Sequence, residues 1–388
     1  MSLNGAAYIV GAYEHPTRKA DELSVLRLHA DVAKGALDDA GGLTKDDIDG
    51  YFCAGDAPGL GTTTVAEYLG LKLRHVDSTE CGGSAPILHV AHAAEAIKAG
   101  RCNVALITLA GRPRAAGAAL SLKAPDPDAP EVQFELPFGP ATQNLYGMVA
   151  KRHMYEFGTT SEQLAWIKVA ASHHAQHNPN AMLRNVVTVE DVVNSPMVSD
   201  PLHRLDCCVM SDGGGALIVA RPEIAKKLNR PLVKVRGTGE APKHAAGGKI
   251  DLSWSAAKWS GAAAFAEAGL TPEDIKYASL YDSFTITVLM QLEDLGFCKK
   301  GEGGKFVMDG NLISGVGKLP FNTDGGGLCN NHPANRGGVT KVIEAVRQLR
   351  GEAHPAVQVK DCDIALANGI GGALASRHTA GTLIMERE

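Results

Sequence analysis

The sequence predicts an α/β protein built from two similar halves, and three observations carry that prediction. Apolar runs of strand length alternate with helical patterns along the chain. The stretch DDAGGLTKDDIDGYFCAGD (38–56) returns as AEAGLTPEDIKYASLYDS (266–283): helix, glycine stop, threonine cap with acids in the next turn, then a strand. A second pair follows in the same order, HVAHAAEAIKAGRCNVALITLAG (89–111) being echoed by GVTKVIEAVRQLRG (338–351) and CDIALANGIGG (362–372). At 388 residues the chain can bury a sizeable core and a real pocket.

The elements follow in order. AAYIVGAY reads as a strand and LSVLRLHADVAKGALDDAG as an amphipathic helix, with Leu26, Ala30, Ala33 and Leu37 at helical spacing and Gly41-Gly42 as its stop. DGYFCAG is the next strand, and SAPILHVAHAAEAIKAG reads as a helix starting just after Cys81. Residues about 111–205 form an insertion rich in Pro, Ala and His with one clear helix, SEQLAWIKVAASHHAQHNP; insertions of that length are usually lids or binding loops. SDGGGALIVA (211–220) then turns into a buried strand, and the halves divide into 1–230 and 231–388. Face to face, two such halves would bring equivalent strand ends to one pseudo-twofold centre, where open α/β sheets keep their ligands. The loops expected there are TECGGSAP (79–86), YDSF (281–284), GGGLCNNHPANRGG (325–338) and NGIGG (368–372).

Composition excludes several classes. With a net charge of -5 and 21% charged residues, the chain has no basic field to hold nucleic acid or an acidic membrane. No apolar run approaches the roughly 18 residues of a membrane span, and the N-terminus lacks a signal-peptide pattern, so a cytoplasmic protein is expected. Eight scattered cysteines suit a reducing compartment and free thiols. His173 and His177 stand four apart on a helix, yet no third ligand is identifiable beside them; Cys207-Cys208 carries no metal signature, and GEGGKF (301–306) lacks Walker spacing. No metal is expected.

Four of these segments resemble the thiolase superfamily in its sterol-carrier and lipid-transfer-protein branch: ASHHAQHNPNAM (171–182), YDSF, GGGLCNNHPANRGG and NGIGGALASRHTAGTLI (368–384). The resemblance spans nearly the whole chain. It implies a five-layered αβαβα fold of two duplicated halves with an inserted loop domain, and an acyl-CoA substrate with coenzyme A as substrate or product. It also implies a homodimer and a small zinc-ribbon and OB-fold partner subunit; the branch's fused sterol-carrier domain is not expected, since the sequence runs out just after its last strand. The departures from the family bear on function. Counting from Gly100 and from Leu69-Gly70, the family's nucleophilic cysteine falls at Gly83, and Cys81 stands two residues early. The motif histidine is replaced by Tyr281 and its cysteine by Ser283, whereas Asp282, Phe284 and His332 remain. Aldolases of this superfamily, which split β-hydroxyacyl-CoA side chains, also have Tyr-Asp at 281–282, but their second catalytic tyrosine falls at Asn330.

The first reading is therefore an enzyme that makes or breaks the carbon–carbon bond near a thioester, by thiolase-type acyl transfer through Cys81, with Cys329 second and His332 as base. The alternatives are cysteine-free retro-aldol cleavage, with Tyr281 and His332 handling protons beside Asp282, and an acyl-binding subunit without chemistry. Helix N-terminal amides favour a thiolate at Cys81, whose other reading is a buried thiol closing a strand. Gly82 and Gly83 allow close approach of a thioester carbonyl to backbone N–H groups, or form an ordinary turn. Asn330, Asn368, Gly369, His174 and Asn178 are the further expected cofactor-side residues by resemblance. Cys329 and Tyr281 each have a packing reading as well.

Overall fold

The computed structural model describes residues 2–54, 57–117, 126–244, 249–374 and 377–388. Residues 118–125 of the expected insertion lie outside these. Nine strands form one mixed sheet: β1 (Tyr8–Glu14), β2 (Gly50–Phe52), β3 (His75–Asp77), β4 (Val104–Gly111), β5 (Gly213–Ala220), β6 (Val233–Lys243), β7 (Tyr277–Leu280), β8 (Ile364–Gly372) and β9 (His378–Arg387). The helices that matter below are α1 (Val25–Ala40), α2 (Ala85–Lys98), α3 (Thr142–Phe157), α4 (Ser161–Ala175), α5 (Ala257–Ala268), α6 (Thr285–Asp294) and α7 (Gly338–Arg350).

The duplication is visible in strand order. The first half runs β3-β2-β4-β5-β1 and the second β7-β8-β9-β6, with Phe321 bridging in parallel to Ala278 of β7 where the first half has β3. Within each half the pairings are parallel, then antiparallel, in the same succession. The halves join edge to edge where Tyr8 pairs with Lys234 and Ile9 with Val233. The threonine caps repeat too: Thr44 donates from its N–H and hydroxyl to Asp47 Oδ2 (2.8 and 2.9 Å), and Thr271 does the same to Asp274 (2.8 and 3.0 Å). Each cap opens a single 3₁₀ turn before its strand.

Alternation along the strands sorts side chains into layers. Tyr8 and Val10 of β1 face an outer core with Val32, Ala33 and Ala36 of α1, whereas Ile9 faces a central core. Leu106 and Ile107 of β4 divide in the same way. The central core holds Ile87 and Val90 of α2 and Val339, Val342 and Val346 of α7, so these helices lie between the two half-sheets. A third core packs Ala264 and Ala268 of α5, Leu289 and Leu292 of α6 and Leu164 and Ile167 of α4 on the far side. The result is α/β/α/β/α. Both faces of the strands are covered, which is why they read as continuous apolar runs.

One local expectation shifts. The buried face of α1 is Leu28, His29, Val32, Ala33, Ala36 and Ala40, with Leu26 and Leu37 only partly covered. His29 turns inward because Thr108 of β4 supplies a hydroxyl partner 2.8 Å from its Nδ1. No helix among the described residues is long and apolar enough to cross a membrane.

Candidate active site

The start of α2 meets the end of β8 through glycines. Cβ atoms are sterically excluded from Gly371, where one would lie 1.6 Å from the Cys81 carbonyl oxygen, and from Gly369, where one would lie 2.8 Å from the Gly83 oxygen. A Cβ at Gly338, the first residue of α7, would sit 2.1 Å from that same Gly83 oxygen. The N-termini of the two central helices therefore converge at Gly83, on the pseudo-twofold centre.

Tyr281 fills the place that a side chain at Gly83 would need. A Cβ there would lie 2.4 Å from the ring atoms Cε2 and Cζ of Tyr281 and 2.5 Å from the Ile370 oxygen. Tyr281 follows β7, its N–H bonded to the Asn368 carbonyl (3.0 Å), and its hydroxyl donates to the Ala334 carbonyl (3.3 Å). Burial raises its phenol well above the usual value of 10, with Cys208, Tyr146 and Asp282 adding to the rise and Arg336 opposing it. The phenol stays protonated because the ring is buried in the core.

His332 stands edge-on to Tyr281, ring centroids 5.4 Å apart. Its N–H donates to Ser211 Oγ (3.0 Å), which fixes the backbone, and its Nε2 is buried and meets no hydrogen-bond partner among the described residues. Burial pushes the imidazole down to about 4, so it is neutral at neutral pH. Asp282 is fully buried and acts on the loop: it accepts from Gly327 N–H (2.8 Å), Leu328 N–H (3.1 Å) and Lys341 Nζ (2.7 Å). It positions the glycine loop that leads to His332.

Cys81 has a different setting from the one a helix start suggests. Its sulfur accepts from Ser84 Oγ at 3.3 Å, and its carbonyl is held by the hydroxyls of Ser84 and Thr379. Burial raises the thiol above 9.0, and Glu80 and Glu240 push the same way; the expected thiolate is not favoured. Cys329 is fully buried, its thiol also raised by burial. Lys168 reaches the same turn, donating to the Leu328 carbonyl at 2.6 Å.

The expected cofactor-side residues scatter. Asn330 is consumed in a buried polar cluster, accepting from Arg18 (2.7 Å) and donating to Asp324 (2.9 Å) and Glu14 (3.2 Å). Asn368 donates to Thr382 Oγ1 (2.8 Å) inside β8, and Gly369 lies directly under α2. His174 accepts from Ser314 N–H (2.9 Å) and is pushed down to about 3 by burial. Asn178 donates to the Asp324 carbonyl (2.9 Å) at a surface cleft of about 160 Å³, beside the stacked rings of His177 and His354. Gly82 packs on Gly371 at φ 69°, a left-handed turn that suits glycine. Among the described residues no group of three or more His, Cys, Asp or Glu side chains is arranged to hold a metal.

Three groups at the site carry no motif in the sequence. Tyr146 on α3 stacks on Phe284 (4.4 Å) and donates to the Gly372 carbonyl (3.0 Å); burial raises its phenol to about 12. Ser211 holds His332, and Cys208 N–H bonds to the Ser283 carbonyl (2.9 Å). Only the helical spacing of the inward-facing Tyr146, Val149, Ala150 and His153 on α3 would have flagged it.

Residues 239–386 match the thiolase C-terminal domain-like family. The chain is 32% identical over 381 residues to an acetyl-CoA acetyltransferase of Methanothermobacter thermautotrophicus, covering 94% of this chain and 96% of that protein. It is 35% identical over 371 residues to a steroid side-chain-cleaving aldolase of Thermomonospora curvata, covering 90% and 91%. Sterol carrier protein 2 of Bos taurus is 32% identical over 255 residues, 62% of this chain and 46% of that one. A solved structure titled Ltp2-ChsH2(DUF35) aldolase superposes with a TM-score of 0.89 at 32% identity, covering 99% of this chain and 98% of that one. With its duplicated strand order and a glycine-lined centre where two helices converge, the chain belongs to the thiolase superfamily.

Proposed function

We propose that the chain cleaves the Cα–Cβ bond of a β-hydroxyacyl-CoA by a retro-aldol reaction that uses no cysteine. The observation that carries this reading is the Tyr281 ring lying where a nucleophile at Gly83 would project. Acyl transfer through Cys81, the first reading of the sequence, loses support from a thiol raised by burial and bonded to Ser84. The similarity to two aldolases, one of them named for steroid side chains, favours the same conclusion.

The pair Tyr281 and His332 enters the reaction in opposite protonation states suited to acid and base, since burial drives one pKa up and the other down to about 4. His332 Nε2 takes the proton of the β-hydroxyl, whose O–H electron pair becomes the new carbonyl π bond. The Cα–Cβ pair passes into the thioester enolate. Tyr281 O–H then protonates Cα, leaving a phenolate; as the products leave, the phenolate takes up a proton and the imidazolium loses one, which restores both groups with no net proton change. The products are a ketone or aldehyde and a shortened acyl-CoA. A homodimer and a small partner subunit belong to the same proposal, the latter supported by the two-component title of the superposed aldolase.

The test is whether cleavage consumes free coenzyme A. A β-hydroxyacyl-CoA should yield a carbonyl compound and a shorter acyl-CoA with no coenzyme A added; cleavage of a 3-oxoacyl-CoA that depends on added coenzyme A would restore the acyl-transfer reading.

A further inference from the structure

We infer that Glu14, a carboxylate from the first half of the chain, is a positioning residue for His332: it grips the amide of Asn331, the residue just before, and so fixes how the imidazole enters the site. The catalytic consequence rests on the retro-aldol reading; the hold on His332 does not.

Glu14 closes β1 and is 8% exposed. Its Oε1 accepts from Asn331 Nδ2 (2.5 Å), Arg18 Nη2 (2.6 Å) and Asn330 Nδ2 (3.2 Å), and its Oε2 accepts from Arg347 Nη1 of α7 (3.3 Å). Both asparagines are buried. Asn330 has further partners in Arg18 and Asp324. Among the described residues the Asn331 side chain bonds to Glu14 alone, its own oxygen being buried and unpartnered. Without Glu14, nothing orients that amide.

The grip falls where it bears on His332. Asp282 secures the glycine loop at Gly327 and Leu328, and Asp324 secures it at Gly326 (2.9 Å) and Asn330 (2.9 Å). Ser211 takes the N–H of His332 itself. Asn331 lies between these points. Holds on residues 331 and 332 together restrain the peptide that joins them, and that peptide sets the direction of the imidazole.

Charge makes the grip firm. Burial alone would raise the Glu14 carboxyl, but Arg18, Arg347 and the two amides outweigh it and keep the group below its usual value, so it is a carboxylate at neutral pH. A hydrogen bond to an ionised acceptor is roughly twice as strong as a neutral one. A buried ionic cluster is a poor source of net stability beside apolar packing, and so is a buried amide oxygen with no donor. Orientation of the loop accounts for both.

The experiment exchanges donor and acceptor. Asn331→Asp sets two carboxylates against each other and should lower kcat for β-hydroxyacyl-CoA cleavage about 10²-fold, with KM changed by no more than about twofold. Adding Glu14→Gln lets an amide at position 14 donate to the carboxylate at 331 with the charge of the cluster unchanged, and should bring kcat back to within about tenfold of the parent. Independently of turnover, NMR of protein carrying isotope-labelled histidine follows the His332 ring, its signal assigned with His332→Gln. Burial holds that ring at about 4, so at about pH 5.5 the parent shows the neutral form. In Glu14→Ala the ring is no longer kept in its dry position, and its signal should move toward the imidazolium form. Asp49→Ala strips the acceptor from Asn103 and Val104 at the start of β4, a loss of stability with no contact to the loop, and should leave the signal unmoved. An unmoved His332 signal in Glu14→Ala, or an equal shift in Asp49→Ala, overturns the inference, as does an exchange variant that regains melting temperature but not kcat. If the parent protein cleaves no β-hydroxyacyl-CoA, the retro-aldol reading falls while the NMR comparison still decides the role of Glu14.

Discussion

Replacing Gly83 by alanine puts a methyl group into occupied space. The added carbon would stand 2.4 Å from two ring atoms of Tyr281 and 2.5 Å from the Ile370 oxygen. The ring can tilt, but the carbonyl belongs to β8 and is held in the sheet. Overpacking of this kind costs about 1–3 kcal/mol, and contact with rigid backbone places Gly83→Ala near the upper end. With an unfolding entropy of about 2.1 cal/mol/K per residue over 388 residues, about 3 kcal/mol lowers Tm by roughly 4 °C. The tilt also misplaces the reacting hydroxyl, so cleavage should fall by about 10²-fold. Scanning calorimetry reads the first effect and product formation the second. Adding Tyr281→Ala removes the ring side of the clash, so the double variant should lose less stability than the two single changes summed. A Gly83→Ala protein that melts within about 1 °C of the parent, or a loss that Tyr281→Ala does not relieve, refutes the claim that the ring fills this space.

Other outcomes follow from the same contacts. Asp282→Ala strands the buried Lys341 ammonium and should cost about 3–5 kcal/mol in urea unfolding, much of it recovered by adding Lys341→Met. Tyr146→Phe removes one donor to Gly372 and should cost about 1 kcal/mol, with a smaller loss of kcat than Tyr281→Phe produces. His29, His89, His332 and His378 are each depressed to about 4 and His174 to about 3, below the unfolded value of about 6.5. At these sites the unfolded chain therefore binds more protons in that window, so the rings' contribution to stability is full above pH 6.5 and is lost as the pH drops toward 4. A Tm that stays flat between neutral pH and about 4.5 would contradict the burial assigned to these rings.

Much of the architecture is legible in local sequence because local chemistry specifies it. Thr44 and Thr271 each face an aspartate three residues on, and this repeated cap is one of the local signals that link the halves. Gly41 ends α1 at φ 59°, the position its sequence marks. The vacancy at Gly83 could be counted from flanking landmarks, but what occupies it could not, since Tyr281 arrives from almost two hundred residues away. Cys81 looked reactive because a helix start lowers a thiol; desolvation and two acids outweigh that effect, and neither is visible in TECGGSAP. Asn330 sits inside the conspicuous motif, yet Arg18 and Glu14 from the far end of the chain claim its amide. Tyr146 lies in a segment with no motif of its own, and only packing gives it meaning.

The most direct test of the account compares Tyr281→Phe with Cys81→Ser in cleavage of a β-hydroxyacyl-CoA. The account predicts that Tyr281→Phe lowers kcat by about 10²–10⁴, the usual range for losing a general acid, while Cys81→Ser changes it by no more than about threefold. Activity abolished in Cys81→Ser and retained in Tyr281→Phe would contradict it.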